Sequence, residues 1–592
     1  LQDKPSESRC YACYTQNDGS EKIQNLPQIA DIRFYDGAGE ELVQTGKGFR
    51  QTLDMKNACL ITEGEWKSSR EKADIKSTVY VLRTEPAFPL CAIELEITPL
   101  SGGSITVKAP VSKGDTELPA VQWADAPFET GREFIIRPEL KKKQTARVLY
   151  CAGLDAPGCG PAPGLSSAGE LIRAHKKAWA KIWERDIVIE GDPKAQQVVH
   201  SNMFYLLSSV GTRFGVPPTG LSSDAFGGHV FWDTELWMVP ALIWQYPEYV
   251  RDILRYRIDT LPAALALGRQ YTGKPGCAAF AWESAASGAE VTPGNIPTRD
   301  ERHITSDIVF AMWQYYKTTG DKAFLEECWD VIRCSANFWA AFAQKDAEGV
   351  YHIKGVCPPD ENAGLVDDSA YTNATAQAVM YIAGMAAELL GKPASPEWKQ
   401  AAEGLELLSD GTKLIIYRDY KGGEIKQADP ELLYYPWKYQ ELKGKYSGAS
   451  LFDKQAAGTC DFYMGRIEKN GPAMSASAHS VIAARLKGDA DKALELFRSS
   501  YRPYMRGPFN YFNEKKSATY KTWCFLTGAG GSASAVLWGF AGLDMDYYSP
   551  EVKHTVKPCV PGEWKSVTLK GVRFNGKICD ITARADGSYD VK

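Results

Sequence analysis

The sequence predicts a mainly α protein with β domains, an (α/α)6 barrel preceded by a β-sandwich and followed by a small β-sheet. Three observations carry this. Apolar residues alternate in short runs up to about residue 150 and recur at helical spacing from Pro193 to Tyr548. Alternation returns from Val552 to the end at Lys592. Between the first two regions lies GLDAPGCGPAPG at 153–164, a break of Gly and Pro. At 592 residues the chain is too long for one core. The expected division is 1–164 (sandwich), 165–192 (linker helix), 193–548 (barrel) and 549–592 (terminal sheet).

In the first region Ser77–Leu82, Ala92–Ile97, Ile105–Val107 and Phe134–Ile136 are β-branched or alternating runs, punctuated by Gly, Pro, Asp and Asn. An antiparallel sandwich is the natural arrangement. A helix is then expected from near Ser166, with Leu171, Ala174, Ala178 and Ile182 on one face and Trp179 and Trp183 four apart. It should end before Ile187–Gly191. The middle region carries 3.6-residue periodicity over Val198–Val210, Leu236–Ile243, Tyr249–Ala266, Ser306–Thr318, Lys322–Ala343, Thr372–Leu390, Pro396–Leu408, His479–Lys487, Ala490–Tyr501 and Ser532–Phe540. So many helices with long loops and no strand alternation favour a barrel over a bundle, with functional residues on the loops at one end. In the tail, Val567–Leu569, Val572–Phe574 and Ile578–Thr582 read as strands. No repeat of fixed period is visible.

Composition narrows the function. A net charge of −5 gives no attraction to phosphate backbones, so nucleic acid is not an expected partner. No apolar run reaches the roughly 18 residues of a membrane span. The 14 Cys are scattered, with one close pair at Cys10 and Cys13, no second pair at zinc spacing and no HExxH, so buried thiols rather than a metal site are expected. The chain begins at Leu1 without Met, which makes a processed N-terminus and a periplasmic or secreted location the expectation, a cytoplasmic one staying open. The 16 Trp and 29 Tyr suit a carbohydrate cleft, since aromatic faces stack on sugar C–H faces, and equally suit a large helical core.

Five stretches combine carboxylates with aromatic or rigid neighbours. In 355–376, Pro358 and Pro359 stiffen the loop that carries Asp360 and Glu361, a good mount for a general acid, though an acidic turn or N-cap looks the same. Trp232 and Asp233 precede a helix in GGHVFWDTELWMVP, a pair suited to stack on a sugar and accept its hydroxyls, though Asp before a helix is usually a cap. Trp282 and Glu283 repeat the theme in FAWE. Lys426, Gln427 and Asp429 place an ammonium, an amide and a carboxylate within four residues, a set that can grip sugar hydroxyls, though a solvated turn is the commoner use of such a stretch. Glu514 follows three aromatics in PFNYFNE; a carboxyl in apolar surroundings is a candidate acid or base. The Gly-rich LTGAGG that follows, ahead of a helix, could hold an anion, with a tight turn the commoner explanation.

Taken in order, FWDTELWMVP (231–240), FAWESAASGAEVTP (280–293), ERHITSDI (301–308), PPDENAGLVDDSAYTN (358–373), KQAD (426–429) and PFNYFNE…LTGAGG (508–531) resemble glycoside hydrolase family 65, and WAKIWERDIVIEGD (179–192) resembles its linker. The resemblance covers 165–545 and is nearest to the hydrolase branch acting on α-1,2-linked glucosides. It implies Glu361 as general acid and Glu514 as general base. Asp233, Lys426 and Gln427, with Trp232 beside them, would grip the transferred glucose, and Trp282 and Glu283 would lie at the neighbouring subsite. It implies a small-molecule α-glucoside or glycan substrate, no cofactor and no metal, and leaves the oligomeric state open. An inverting hydrolase needs the second carboxylate to activate water, whereas a phosphorylase would find it repulsive to phosphate. A phosphorylase and a non-catalytic sugar-binding protein on the same fold remain the alternatives. One departure stands beside the acid, where the family has an aromatic, often followed by His, and this chain has Asn362 and Ala363.

Overall fold

The structure, a computed structural model, describes residues 14–17, 20–23, 31–83, 90–109, 112–113, 116–117, 121–130, 134–153, 168–223, 225–294, 296–442, 449–517, 519, 522 and 524–592. Cys10, Cys13, most of the Gly/Pro break and the expected helix start near Ser166 lie outside these residues. The fold divides into two compact units, one from residues up to Glu184 and the other from Arg185–Lys592 with residues 16–17 and 20–22.

In the first unit two antiparallel sheets enclose one core. The larger runs in the order Val121–Ala124, Ala146–Gly153, Leu90–Pro99, Lys72–Val81, Cys59–Lys67, with Val43–Gln44 and Arg50–Asp54 on the last strand. The smaller runs Phe128–Thr130, Phe134–Ile136, Ile105–Ala109, Arg33–Asp36. Alternate residues point inward, so Ile75, Ile93, Leu95, Ile97 and Tyr150 meet Phe34, Ile105, Val107, Phe134 and Ile136. Helix α1 (Ala168–Ile182) covers the outer face of the larger sheet, where Tyr80, Leu90, Ala92 and Cys151 pack with Ala168 and Ile172. Its buried stripe is Ala168, Ile172, His175, Trp179 and Ile182. That is one residue out of phase with the expected Leu171, Ala174 and Ala178, because His175 turns inward to hydrogen-bond the Arg83 amide and the Asn57 carbonyl.

The second unit holds α2 (Pro193–Ser208), α3 (Val239–Leu242), α4 (Pro247–Asp259), α5 (Leu261–Thr272), α6 (Ile304–Thr319), α7 (Lys322–Phe342), α8 (Ala370–Leu390), α9 (Pro396–Gly404), α10 (Ala449–Met464), α11 (Ser475–Ile482), α12 (Ala490–Tyr501) and α13 (Leu526–Ser534). Consecutive helices pack together, α6 on α7, α7 on α8, α8 on α9 and α11 on α12, and α13 returns to α2. The expected helix 249–266 is two, since Pro262 lacks the amide that would continue the ladder and Thr260 breaks it. The expected 236–243 helix begins as a π turn, Thr234–Met238, ahead of Pro240. LTGAGG is helix rather than turn. A Cβ at Gly530 would lie 2.6 Å from the Trp237 carbonyl, and one at Gly528 2.6 Å from the Ala473 carbonyl, so the glycines let α13 approach its neighbours closely. The segment Ile187–Glu190 pairs antiparallel with Ser566–Leu569, extending the C-terminal sheet of Ser566–Phe574, Lys577–Arg584 and Tyr589–Val591. Among the described residues no helix is long and apolar enough to cross a membrane, and the described cysteines are free thiols, most of them buried.

Candidate active site

The stretch 426–429 holds Pro359, Asp360 and Glu361 of the loop. The Gln427 side-chain amide donates to the Pro359 carbonyl at 2.8 Å. The Lys426 amide donates to Asp360 Oδ1 at 2.8 Å, and the Asp360 amide to Asp429 Oδ2 at 3.0 Å. Tyr417 completes the clamp on Asp360 Oδ2. Glu361 then opens a one-turn 3-10 helix, Glu361–Ala363, and its carboxylate touches Lys426 Nζ. Asp360 is a support for the loop, and Gln427 spends one amide hydrogen on that support. Asn362 donates to Glu468, which fixes the turn from its far side.

Asp233 sits at the mouth of the π turn, almost buried, and accepts a hydrogen bond from the Thr527 hydroxyl at the start of α13. Beneath it Glu235 takes two hydrogen bonds from Arg257, which also reaches the Phe231 carbonyl and Ser284 Oγ. Both members of this ion pair are 1% exposed. It ties the 231–235 turn to the 282–284 loop, and the backbones of Val230 and Ser284 pair directly.

Trp282 and Glu283 stand on that loop. Trp232 is enclosed by Trp237, Trp282, His303 and Tyr371, ring centroids 4.8–6.2 Å away. It therefore builds the aromatic wall beneath Trp282 and Asp233. Glu283 Oε2 meets His229 Nδ1 at 2.7 Å. His303 is set between Asp307 and Glu301, at 2.8 and 3.2 Å.

Glu514 is 7% exposed. Its amide donates to Thr522 Oγ1, its carbonyl accepts from the Ala473 amide, and Lys515 Nζ lies 3.4 Å from Oε1. Electrostatics ties these groups together. Burial pushes the Asp233 carboxyl up to about 7, helped by the nearby charges of Glu514 and Glu361. Burial raises Glu301 well above the carboxylate range, with Glu361 adding to it and Lys426 opposing. Burial alone would lower Lys426, but Glu361, then Glu301 and Glu514, outweigh it and hold the ammonium above its ordinary value. Burial raises Glu283 too, and His229 pulls it part of the way back. The result is the Lys426 ammonium ringed by carboxyls, a polar floor with an aromatic wall. Such a site can grip hydroxyls and exchange protons with them. Among the described residues no His, Cys, Asp and Glu cluster has the arrangement of a metal site.

The sequence-derived candidates therefore share a neighbourhood. Sequence reasoning passed over Glu301, His303, His229 and Thr527, and did not foresee that Asp360 and Asp429 support the loop. Glu301 and His303 stand inside ERHITSDI, where an acid-x-His-x-x-x-Asp spacing was the available signal. His229 and Thr527 carry none, because their partners are remote in the chain.

The chain matches the glycosyl hydrolase family 65 N-terminal domain over residues 10–127 and the family's central catalytic domain over residues 200–407. It is 40% identical over 412 residues to a kojibiose hydrolase of Mucilaginibacter mallensis, covering 68% of this chain and 58% of that protein. It is 30% identical over 472 residues to a protein-glucosylgalactosylhydroxylysine glucosidase of Danio rerio, covering 75% and 67%. The chain spans about three fifths of the length of the curated kojibiose hydrolases it matches, 58% and 60%. A putative kojibiose phosphorylase from the human microbiome shares the fold, with a TM-score of 0.76 over 95% of this chain and 85% of that one at 16% identity. With its two domains matched in order and the relatives' similarity running through most of its length, the chain belongs to glycosyl hydrolase family 65.

Proposed function

We propose that this protein hydrolyses terminal α-glucosides, α-1,2-linked ones such as kojibiose first, with inversion to β-glucose. The helices would close into an (α/α)6 barrel, a reading supported by their consecutive packing and by the return of α13 to α2. The observation that carries the hydrolase assignment is Glu514, a second, buried carboxyl whose charge reaches Asp233 together with that of Glu361. Glu361 protonates the leaving oxygen and Glu514 takes a proton from water on the opposite face. Asp233 and Lys426 hold the glucose hydroxyls. Lys426 must leave Glu361 Oε2 before that oxygen can deliver a proton, and the arriving hydroxyls supply the alternative partner. A phosphate ion in place of the water would face the Glu514 carboxylate, which disfavours phosphorolysis. The names of the relatives, kojibiose hydrolase and protein-glucosylgalactosylhydroxylysine glucosidase, support an α-glucoside hydrolase over a phosphorylase. Incubation with kojibiose, nigerose, maltose and trehalose, with and without phosphate, tests this. Glucose release from kojibiose without phosphate is expected. Strict phosphate dependence with glucose 1-phosphate as product would establish the phosphorylase instead, and no release from any substrate would leave a sugar-binding protein.

A further inference from the structure

Residues 16–17 and 20–22 come from the N-terminal part of the sequence but belong to the catalytic unit. Glu21 is 7% exposed and makes two contacts there. Its carboxylate Oε2 accepts the Ser287 amide at 3.1 Å, on the loop that follows Trp282 and Glu283. Its backbone carbonyl lies 2.6 Å from His229 Nε2. A carbonyl can only accept, so Nε2 carries a hydrogen. That settles the other side of the ring, where Nδ1 and Glu283 Oε2, 2.7 Å apart, share one proton. The ring cannot turn away. It is 1% exposed, and Gly227, at φ +62°, runs so close that a Cβ there would lie 2.7 Å from Nε2. Among the described contacts Glu283 spends Oε2 on His229, which leaves Oε1 for a ligand.

We propose that Glu21 is a positioning residue for the leaving-group side of the site. Its carboxylate fixes the 284–290 loop through Ser287 and its backbone carbonyl orients Glu283 through His229, and together these set which leaving sugar is accepted. The proposal rests on the placing of Trp282 and Glu283 at the neighbouring subsite. It separates the two sides of the scissile bond. The Asp360–Glu361 loop is held by Tyr417 and Lys426 and Asp233 by Thr527, and among the described contacts none of these touches Glu21. A change at Glu21 should therefore spoil recognition of the leaving sugar and spare the glucose side.

The test compares kojibiose with α-glucosyl fluoride, whose leaving group is no sugar, in Glu21→Ala, Glu21→Gln and His229→Ala. Loss of a hydrogen bond to a charged group predicts a rise of about tenfold or more in KM for kojibiose in Glu21→Ala and His229→Ala, with far less change on the fluoride. Glu21→Gln, which keeps an acceptor for the Ser287 amide, should recover most of the loss. Equal losses on both substrates, or no loss on either, would overturn the proposal. The same comparison is made without turnover, by tryptophan fluorescence titration in a Glu361→Gln background. Kojibiose binding should weaken about tenfold and glucose binding should hold; parallel weakening overturns the proposal. A wild-type protein that cleaves neither substrate would refute the hydrolase reading while these titrations still decide the role of Glu21. Glu21→Ala tests the Ser287 arm, because the backbone carbonyl on His229 stays, and His229→Ala tests the other arm; if Glu21→Ala fails to fold, Glu21→Leu, which fills the space without an acceptor, carries the comparison.

Discussion

Asp233→Asn should make the protein more stable at pH 8 and poorer at holding glucose. The carboxyl is 6% exposed and burial has moved it from the usual 3.8 to about 7. In the folded state it holds its proton more tightly than in the unfolded chain. Stability from this group is thus fully present below about pH 4 and is lost as pH rises to about 7. The shift corresponds to on the order of 4 kcal/mol, an upper bound because the folded state relaxes around the charge. Asparagine removes the ionisation and keeps an acceptor for the Thr527 hydroxyl. For a unit of about this size, 1 kcal/mol shifts Tm by roughly 1 °C, so a gain of about 2–4 °C at pH 8 is expected. The gain should shrink to nothing near pH 4. Thermal unfolding of wild type and variant from pH 4 to 8 measures it, and sugar binding at pH 8 should fall at least tenfold. A stability difference independent of pH, or a loss of stability at pH 8, would refute the reasoning that burial of Asp233 is kept for its function.

Substitutions at four further places test the acid, the base, the buried ion pair and the packing of α13. Glu361→Gln should cost at least about 100-fold in turnover of kojibiose and far less on substrates with activated leaving groups, measured by initial rates on both. Glu514→Ala should abolish hydrolysis, and added azide should restore measurable turnover by entering the vacated space. Arg257→Ala leaves Glu235 buried without its partner and should destabilise by about 3–5 kcal/mol in urea unfolding, whereas Arg257→Met with Glu235→Leu should recover most of it. Gly528→Ala places a Cβ 2.4 Å from the Phe512 ring and 2.6 Å from the Ala473 carbonyl, and should lower stability by about 1–3 kcal/mol while also displacing Thr527 from Asp233.

Much of the fold was legible because periodicity is local. The alternation of Ala92–Ile97 and the 3.6-residue spacing of Lys322–Ala343 each report one buried face, and strand and helix appear there. Where local signals conflicted with packing, packing won. Gly528, Gly530 and Gly531 read as a turn, yet the close approach of α13 to Trp237, Ala473 and Ser477 makes small residues necessary inside a helix. Helix α10 escaped notice altogether. For the site, Pro358 and Pro359 correctly marked a rigid loop, but the rigidity owes as much to Gln427 and Asp429, 68 and 69 residues downstream of their partners. Pairings over such separations, like Thr527 with Asp233 or Glu21 with Ser287, leave no trace in any window of sequence.

In the proposed reaction two carboxyls, Glu361 and Glu514, act on opposite faces of the glucosidic bond. Proton NMR of the first glucose released from kojibiose, recorded before mutarotation, tests it most directly. The β anomer appearing first, with the α anomer growing in only at the rate of mutarotation, is the predicted result. The α anomer appearing first would contradict the roles given to Glu361 and Glu514.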